Sequence, residues 1–143
     1  MTRNKIEMPA QFSFSALIPI RITDLNYGGH VGNDSILSII HEARVRFLRH
    51  FEFEELNIGG VSLIMSDVAI EFKNEIFYGD DILARIAAAD FSRVGFTIYY
   101  RLEKAGADKN TTVALARTGM VCFDYELKKI VSIPEGVKEK LSA

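Results

Sequence analysis

The composition of this 143-residue chain is typical of one globular domain, since 48% of its residues are hydrophobic and 25% are charged. Its formal net charge of -2 argues against broad nucleic-acid binding, which requires excess basic charge to displace counterions from phosphates. No apolar run has the length of a membrane span or lies near the N-terminus as a signal peptide would, so we expect no membrane association. The single cysteine, Cys122, can form no intrachain disulfide or thiolate metal cluster, which favours a reducing, cytoplasmic setting.

The first half of the chain predicts a strand, a turn and a helix. Alternating apolar residues over 12–22 predict a half-buried strand, in which Pro19 favours an edge position or a bulge. A glycine-rich turn follows, Asn26-Tyr-Gly-Gly-His-Val-Gly-Asn33. Apolar residues then recur at helical spacing over residues 34–50, which predicts an amphipathic helix.

The second half predicts mainly sheet. Alternating patterns indicate four strands, at residues 62–73, 82–90, 94–104 and 111–125, and the last of these carries Cys122 as a buried core thiol. Pro134 is expected to open a short C-terminal helix, because proline is favoured in the first turn. The element order predicts an α+β fold in which a long antiparallel sheet wraps around one central helix, since each buries an apolar face against the other.

Polar residues around the turn are the candidates for chemistry. His30 lies between a strand and a helix N-terminus, where free N–H groups and the helix dipole favour developing negative charge. If the strand continues, Asp24 and Asn26 point the same way, towards the core or a cleft; alternatively, each bonds its own turn backbone. Glu42 and Arg46 have the spacing of a surface ion pair, although Glu42 also borders the apolar stripe and could reach a cleft.

The turn and the helix together resemble a known family. The 4-hydroxybenzoyl-CoA thioesterase-like branch of the hot-dog superfamily often reads D-x-D-x-x-G-H-V-N-N, followed by a helix that contains E-x-x-R or E-A-R. This chain has Asp24-Leu-Asn-Tyr-Gly-Gly-His-Val-Gly-Asn33 and then Ile40-His-Glu-Ala-Arg44. Its later strands are also similar to the family's, in Ile70-Glu-Phe-Lys-Asn-Glu-Ile-Phe-Tyr-Gly-Asp80, Arg93-Val-Gly-Phe-Thr97 and Ala116 to Asp124.

The resemblance implies a hot-dog fold and an acyl-CoA thioesterase. Two chains of such a protein pair edge to edge, as a homodimer or within a homotetramer, and the thioester lies in clefts at the dimer interface. The resemblance further implies that a backbone N–H at the start of the helix, here that of Asn33, polarises the thioester carbonyl. An acidic residue after the first strand would act as nucleophile or general base. No cofactor or metal is expected, because CoA enters as part of the substrate.

One position departs from the family pattern. Asn26 stands where the family usually has its catalytic Asp, and an amide cannot serve as a base near neutral pH. Three residues remain as candidates for the base that activates water: Asp24, Glu42 and His30. The CoA phosphates are expected to contact cations, for which the candidates are Lys73, Arg93 and Arg101.

Two other functions fit the same residues. A hot-dog enoyl-CoA hydratase or dehydratase uses an Asp and a His in a D-x-N-P-x-H motif, which Asp24, Asn26 and His30 resemble without the proline and with the His one residue too far along. A non-catalytic acyl-CoA-binding protein would explain the loss of the acidic residue at Asn26.

Overall fold

An antiparallel sheet and one long helix dominate the structure, a computed structural model that describes residues 5–26, 28–29 and 31–142. The strands and helices are β1 (Phe14–Pro19), α1 (Asn33–His50), β2 (Ser62–Phe72), β3 (Asp81–Ala89), β4 (Gly95–Lys104), β5 (Thr111–Asp124), β6 (Lys129–Ile130) and α2 (Val137–Leu141). A short 3₁₀ turn, Ile22–Asp24, lies between β1 and α1. None of the helices in these described ranges is long and apolar enough to cross a membrane.

The strands are arranged in the order β1-β3-β4-β5-β2, and the short β6 pairs with β5. Strands β3, β4 and β5 form a meander of neighbouring antiparallel strands, whereas β1 and β2 lie at opposite edges. The predicted edge position of Pro19 is confirmed, because β3 is the one described strand that pairs with β1 and a proline there does not interrupt a central ladder.

One face of α1 packs against the inner face of the sheet. Ile40, Ala43 and Phe47 have side chains that are at most 1% exposed, and they form one cluster with Ile86 and Ile98 of the sheet. Burying each large apolar side chain contributes about 1.5–3 kcal/mol relative to leaving it in water. This packing fixes which helix residues face the sheet and which remain open to a cleft.

A buried polar network also joins the helix to the sheet. Arg44 donates from Nη1 to the Tyr100 hydroxyl over 3.3 Å and from Nε to the Glu55 carboxylate over 3.1 Å. The Tyr100 hydroxyl lies 2.7 Å from that of Thr118, and burial raises the pKa of Tyr100. Because unsatisfied buried polar groups are costly, this network restricts the rotation of α1 to one setting.

The structure corrects two predicted boundaries. The first strand ends at Pro19 rather than at residue 22, because residues 22–24 turn and the Asp24 carboxylate accepts the Arg21 backbone N–H over 2.8 Å. The prediction that Pro134 opens the last helix is wrong: α2 begins at Val137 after Gly136, whose φ of 89° places it in the left-handed region. The central helix agrees with its predicted range to within one residue at its start.

We expect Cys122 to be inert in the folded protein. The side chain is buried, and desolvation raises the pKa of its thiol to about 11. A thiol reagent at pH 8 should therefore modify the protein only after denaturant is added. Because the pKa of the Cys122 thiol in the folded protein exceeds the ordinary value of 9.0, the buried protonated thiol contributes fully to the free energy of unfolding below pH 9. That contribution is lost as the pH rises towards about 11. Rapid modification of the native protein would contradict the buried placement.

Candidate active site

The segment after β1 folds back on itself at the start of α1. Leu25 and Val31 form an isolated antiparallel bridge, and the Gly32 N–H donates to the Asp24 carbonyl over 3.2 Å. The Val31 N–H donates to the carbonyl of Ile76, in the connection between β2 and β3, over 2.8 Å. The start of α1 is therefore hydrogen-bonded both to the preceding turn and to the connection between β2 and β3. His30, predicted as a candidate base, lies outside the described residues.

Asp24 is buried and its carboxylate is already engaged. Among the described residues, it accepts hydrogen bonds from Arg21 alone, through the backbone N–H over 2.8 Å, Nη2 over 3.1 Å and Nε over 3.5 Å. Only 4% of the Asp24 side chain is exposed. Arg21 was not among the predicted site residues, although its spacing from Asp24 suits a turn-closing pair. These contacts give Asp24 a role in shaping the turn.

Asn26, unlike Asp24, is exposed. Its Oδ1 accepts the Gly28 N–H over 2.9 Å, which closes a local turn. The expectation that Asp24 and Asn26 point the same way depended on a continuing strand, and the strand ends at Pro19. The alternative, that each residue bonds its own turn backbone, is the one observed.

The N-terminus of α1 carries open backbone donors. Gly32 is the N-cap and has no side chain, and its carbonyl accepts the N–H groups of Ser35 and Ile36. Among the described residues, the Asn33 N–H has no hydrogen-bond acceptor. Such donors at a helix N-terminus favour an oxyanion through both hydrogen bonding and the helix dipole.

A cleft of about 210 Å³ opens beside this helix end. Its lining combines Asn33 and Ile36 of the helix with Phe72 at the end of β2 and Lys73 just beyond it. The Lys73 ammonium lies 2.6 Å from the Glu71 carboxylate and is 40% exposed. The structure therefore brings together two of the predicted site residues, the Asn33 donor and the Lys73 cation.

A second cleft, of about 240 Å³, lies along the β1 side of α1. Asp24, Ser38 and Glu42 all line it. The predicted ion pair is present: Glu42 Oε2 accepts from Arg46 Nε over 2.7 Å, and half of the Glu42 side chain is exposed. Glu42 thus reaches a cleft beside the helix, as predicted, with one carboxylate oxygen engaged by Arg46.

The two predicted arginines lie elsewhere. Arg93 is in the connection between β3 and β4, where Nη1 donates to the Ser132 hydroxyl over 3.0 Å. Arg101 lies on the face of the sheet opposite α1, with its guanidinium 5.7 Å from the centre of the Phe12 ring. Of the three predicted phosphate-binding cations, only Lys73 shares a cleft with Asn33.

The edge strand β2 exposes apolar side chains. Met65, Val68 and Phe72 are 44%, 39% and 49% exposed. Their cross-strand partners in β5 are buried inner-face residues, so these three side chains lie on the same face of the sheet as α1. No described strand pairs with the outer edge of β2, and such an edge beside an apolar surface is a template for pairing with another strand.

Comparisons with known proteins define the class. A family model of the thioesterase-like superfamily matches residues 20–141, and the chain belongs to this superfamily. A relative from Aquifex aeolicus (strain VF5), named "Putative esterase", is 30% identical over 118 residues, which are 79% of this chain and 85% of the relative.

Solved structures confirm the hot-dog fold. A 1,4-dihydroxy-2-naphthoyl-CoA thioesterase from Synechocystis superposes with a TM-score of 0.79 and 22% identity, covering 90% of this chain and 94% of that one. A 4-hydroxybenzoyl CoA thioesterase mutant, complexed with 4-hydroxybenzoyl CoA, superposes with a TM-score of 0.81 and 14% identity, covering 90% and 98%.

The different surroundings of the two carboxylates predict different effects on stability. Asp24→Ala leaves the Arg21 backbone N–H without its acceptor and should lower the free energy of unfolding by about 1–3 kcal/mol. Glu42→Ala removes only a half-exposed ion pair and should change it by about 1 kcal/mol or less. Urea denaturation of both variants measures the difference, and equal losses would show that the Asp24 contacts contribute no more than a surface pair.

Proposed function

We propose that this protein is an acyl-CoA thioesterase, which hydrolyses a thioester to a free acid and CoA. The observation that carries the proposal is the Asn33 N–H, an open backbone donor at the start of an 18-residue helix. When water attacks a thioester, the carbonyl oxygen becomes an oxyanion. A donor fixed at a helix N-terminus stabilises that charge without having to reorganise during the reaction.

The same cleft suits the substrate's other parts. Apolar Ile36 and Phe72 offer contacts for an acyl group. The Lys73 ammonium is paired with Glu71, and Glu75 also lines the cleft, but the 40% exposure of the Lys73 side chain leaves it open to a phosphorylated carrier. Two solved structures with the same fold are named for thioesterases of CoA esters, one of them with its CoA ester bound. These observations support CoA thioesters as the substrate class.

Replacing Asn33 by proline tests the backbone donor directly. Asn33 is the first helical residue, where proline is tolerated, and Gly32, with ψ of 157°, already has the extended conformation required before a proline. The substitution removes only the N–H and the exposed side chain. We expect kcat for acyl-CoA hydrolysis to fall about 10²–10³-fold. Release of free CoA thiol from a panel of acyl-CoA esters provides the measurement.

Asn33→Ala is the matched control, because it removes the side chain and keeps the N–H. This variant should retain nearly normal turnover. If Asn33→Pro folds normally and also keeps the wild-type kcat, the oxyanion donor lies elsewhere. A change in enoyl absorbance without thiol release would instead indicate the hydratase.

Glu42 is the base that we propose for activating water. The Asp24 carboxylate is buried and held by three donors of Arg21, whereas Glu42 lies half exposed in a cleft with one oxygen bound to Arg46. Ser38, one turn earlier on the same cleft, can hold the water by its hydroxyl. His30 stays a prediction, since it lies outside the described residues.

The separation of donor and base implies a site shared by two copies of the chain. From Asn33 to Glu42 the helix rises about 13 Å, at 1.5 Å per residue, and the two residues line different clefts. One thioester cannot contact both groups of a single chain. We therefore propose a homodimer in which one copy supplies the Asn33 N–H and the other supplies Glu42, whose side chain is half exposed.

A complementation experiment tests this arrangement. Glu42→Gln and Asn33→Pro should each be inactive alone. After subunit exchange, half of the dimers are mixed, and one of the two sites in each mixed dimer combines an intact donor with an intact base. The mixture should therefore recover about a quarter of the wild-type activity. Mass-labelled copies would show whether the subunits have exchanged. If they have and the mixture stays inactive, donor and base lie within one chain, or Glu42 is not the base.

A further inference from the structure

The outer face of the sheet, opposite α1, carries two arginines side by side. Arg85 of β3 and Arg101 of β4 are direct cross-strand partners in the antiparallel ladder. Side chains in such pairs leave the sheet on the same face, with Cβ atoms about 4.5–5.5 Å apart. Like charges in this position destabilise a sheet unless an anion lies between or beside them.

The available carboxylate neutralises only one of them. Glu103 accepts from Arg85 Nε over 3.1 Å, and its other oxygen accepts from the Asn110 amide over 3.2 Å. Arg101 makes neither an ion pair nor a hydrogen bond with any described residue. Its Nε is buried without an acceptor, although the guanidinium is a strong, permanently charged donor.

A cavity of about 670 Å³ covers this pair. One wall is the outer face of the sheet, with Arg85, Arg101 and Glu103, and the other is the N-terminal segment of residues 8–12. The Phe12 ring lies over the Arg101 guanidinium, 5.7 Å from its carbon, which holds the planar group in one orientation by a cation–π contact. The segment is attached to the far edge of the sheet, where the Ile6 N–H donates to the Glu71 carboxylate.

We propose that this cavity binds an oxyanion, a phosphate or carboxylate group, between the guanidinium groups of Arg101 and Arg85. The lining bears two positive charges and one negative charge, so it retains one uncompensated positive charge. A planar guanidinium matches the two oxygens of such a group with two parallel hydrogen bonds. The site goes beyond the proposed hydrolysis, because the whole thickness of the sheet separates it from α1 and the two clefts.

The test compares Arg101→Gln with Arg117→Gln at constant ionic strength. Arg117 lies on the same outer face, in β5, and does not line the cavity, so its loss controls for nonspecific surface charge. Inorganic phosphate and acetate are the probes, followed by calorimetric titration and by the melting temperature, which rises with a ligand that binds the folded state. We expect Arg101→Gln to weaken phosphate binding about tenfold or more, and Arg117→Gln to leave it unchanged.

A second variant makes the prediction independent of any folding defect in the first. Glu103→Gln keeps a hydrogen-bonding side chain and removes the only carboxylate that lines the described cavity, so phosphate binding should tighten. Binding that falls equally in the Arg101 and Arg117 variants, or that weakens in Glu103→Gln, would overturn the proposal. KM for acyl-CoA should be the same in Arg101→Gln as in wild type; a rise that parallels the loss of phosphate binding would show that Arg101 serves the substrate, not a separate site.

Discussion

The burial of one face of α1 against the sheet determines the position of every group in the proposed mechanism. Ile40, Ala43 and Phe47 admit almost no solvent, and Arg44 adds hydrogen bonds to Tyr100 and Glu55, so the helix can neither rotate nor slide. With that orientation fixed, its N-terminus opens towards Phe72 and Lys73, while Glu42 faces the β1 side. The packing of α1 thus places Asn33 and Glu42, the two groups of the proposed mechanism, in different clefts.

The hydrogen-bonding surroundings, more than residue type, separate a carboxylate held in a turn from one that is open to a cleft. Asp24 and Glu42 are both carboxylates on one cleft, yet Arg21 occupies the first with three donors and Arg46 contacts only one oxygen of the second. A family motif identifies positions in a sequence without describing such contacts. The substitution at Asn26 then leaves the exposed Glu42 as the better placed described carboxylate.

Much of the fold could be predicted from the sequence because hydrophobic periodicity is strong in α1 and in the four long strands. The helix range agreed closely, and Cys122 is buried as expected. The predicted end of the first strand was wrong because a single contact sets the path of the chain there. Arg21 and Asp24 close a turn at residues where the alternating apolar pattern alone predicts a strand. The family resemblance implied a backbone donor at Asn33, and Asn33 is the first residue of α1. The distance between Glu42 and that donor could not be predicted, because it depends on how the helix is rotated against the sheet. The pairing of Arg85 with Arg101 could not be predicted either, because sequence spacing does not determine the strand register.

Gly32 shows how stability and reactivity compete at one residue. The family pattern often has Asn at this position, and a side chain with a terminal oxygen would cap the first N–H groups of the helix. Gly32 cannot, and a Cβ at this position would lie 2.6 Å from Oδ1 of Asp34, so a larger residue would displace that exposed carboxylate. Among the described residues, the helix therefore begins with N–H groups that no side chain caps, and water or a ligand can take that place. A substrate bound as proposed would act as the missing cap and would stabilise the folded chain when it binds.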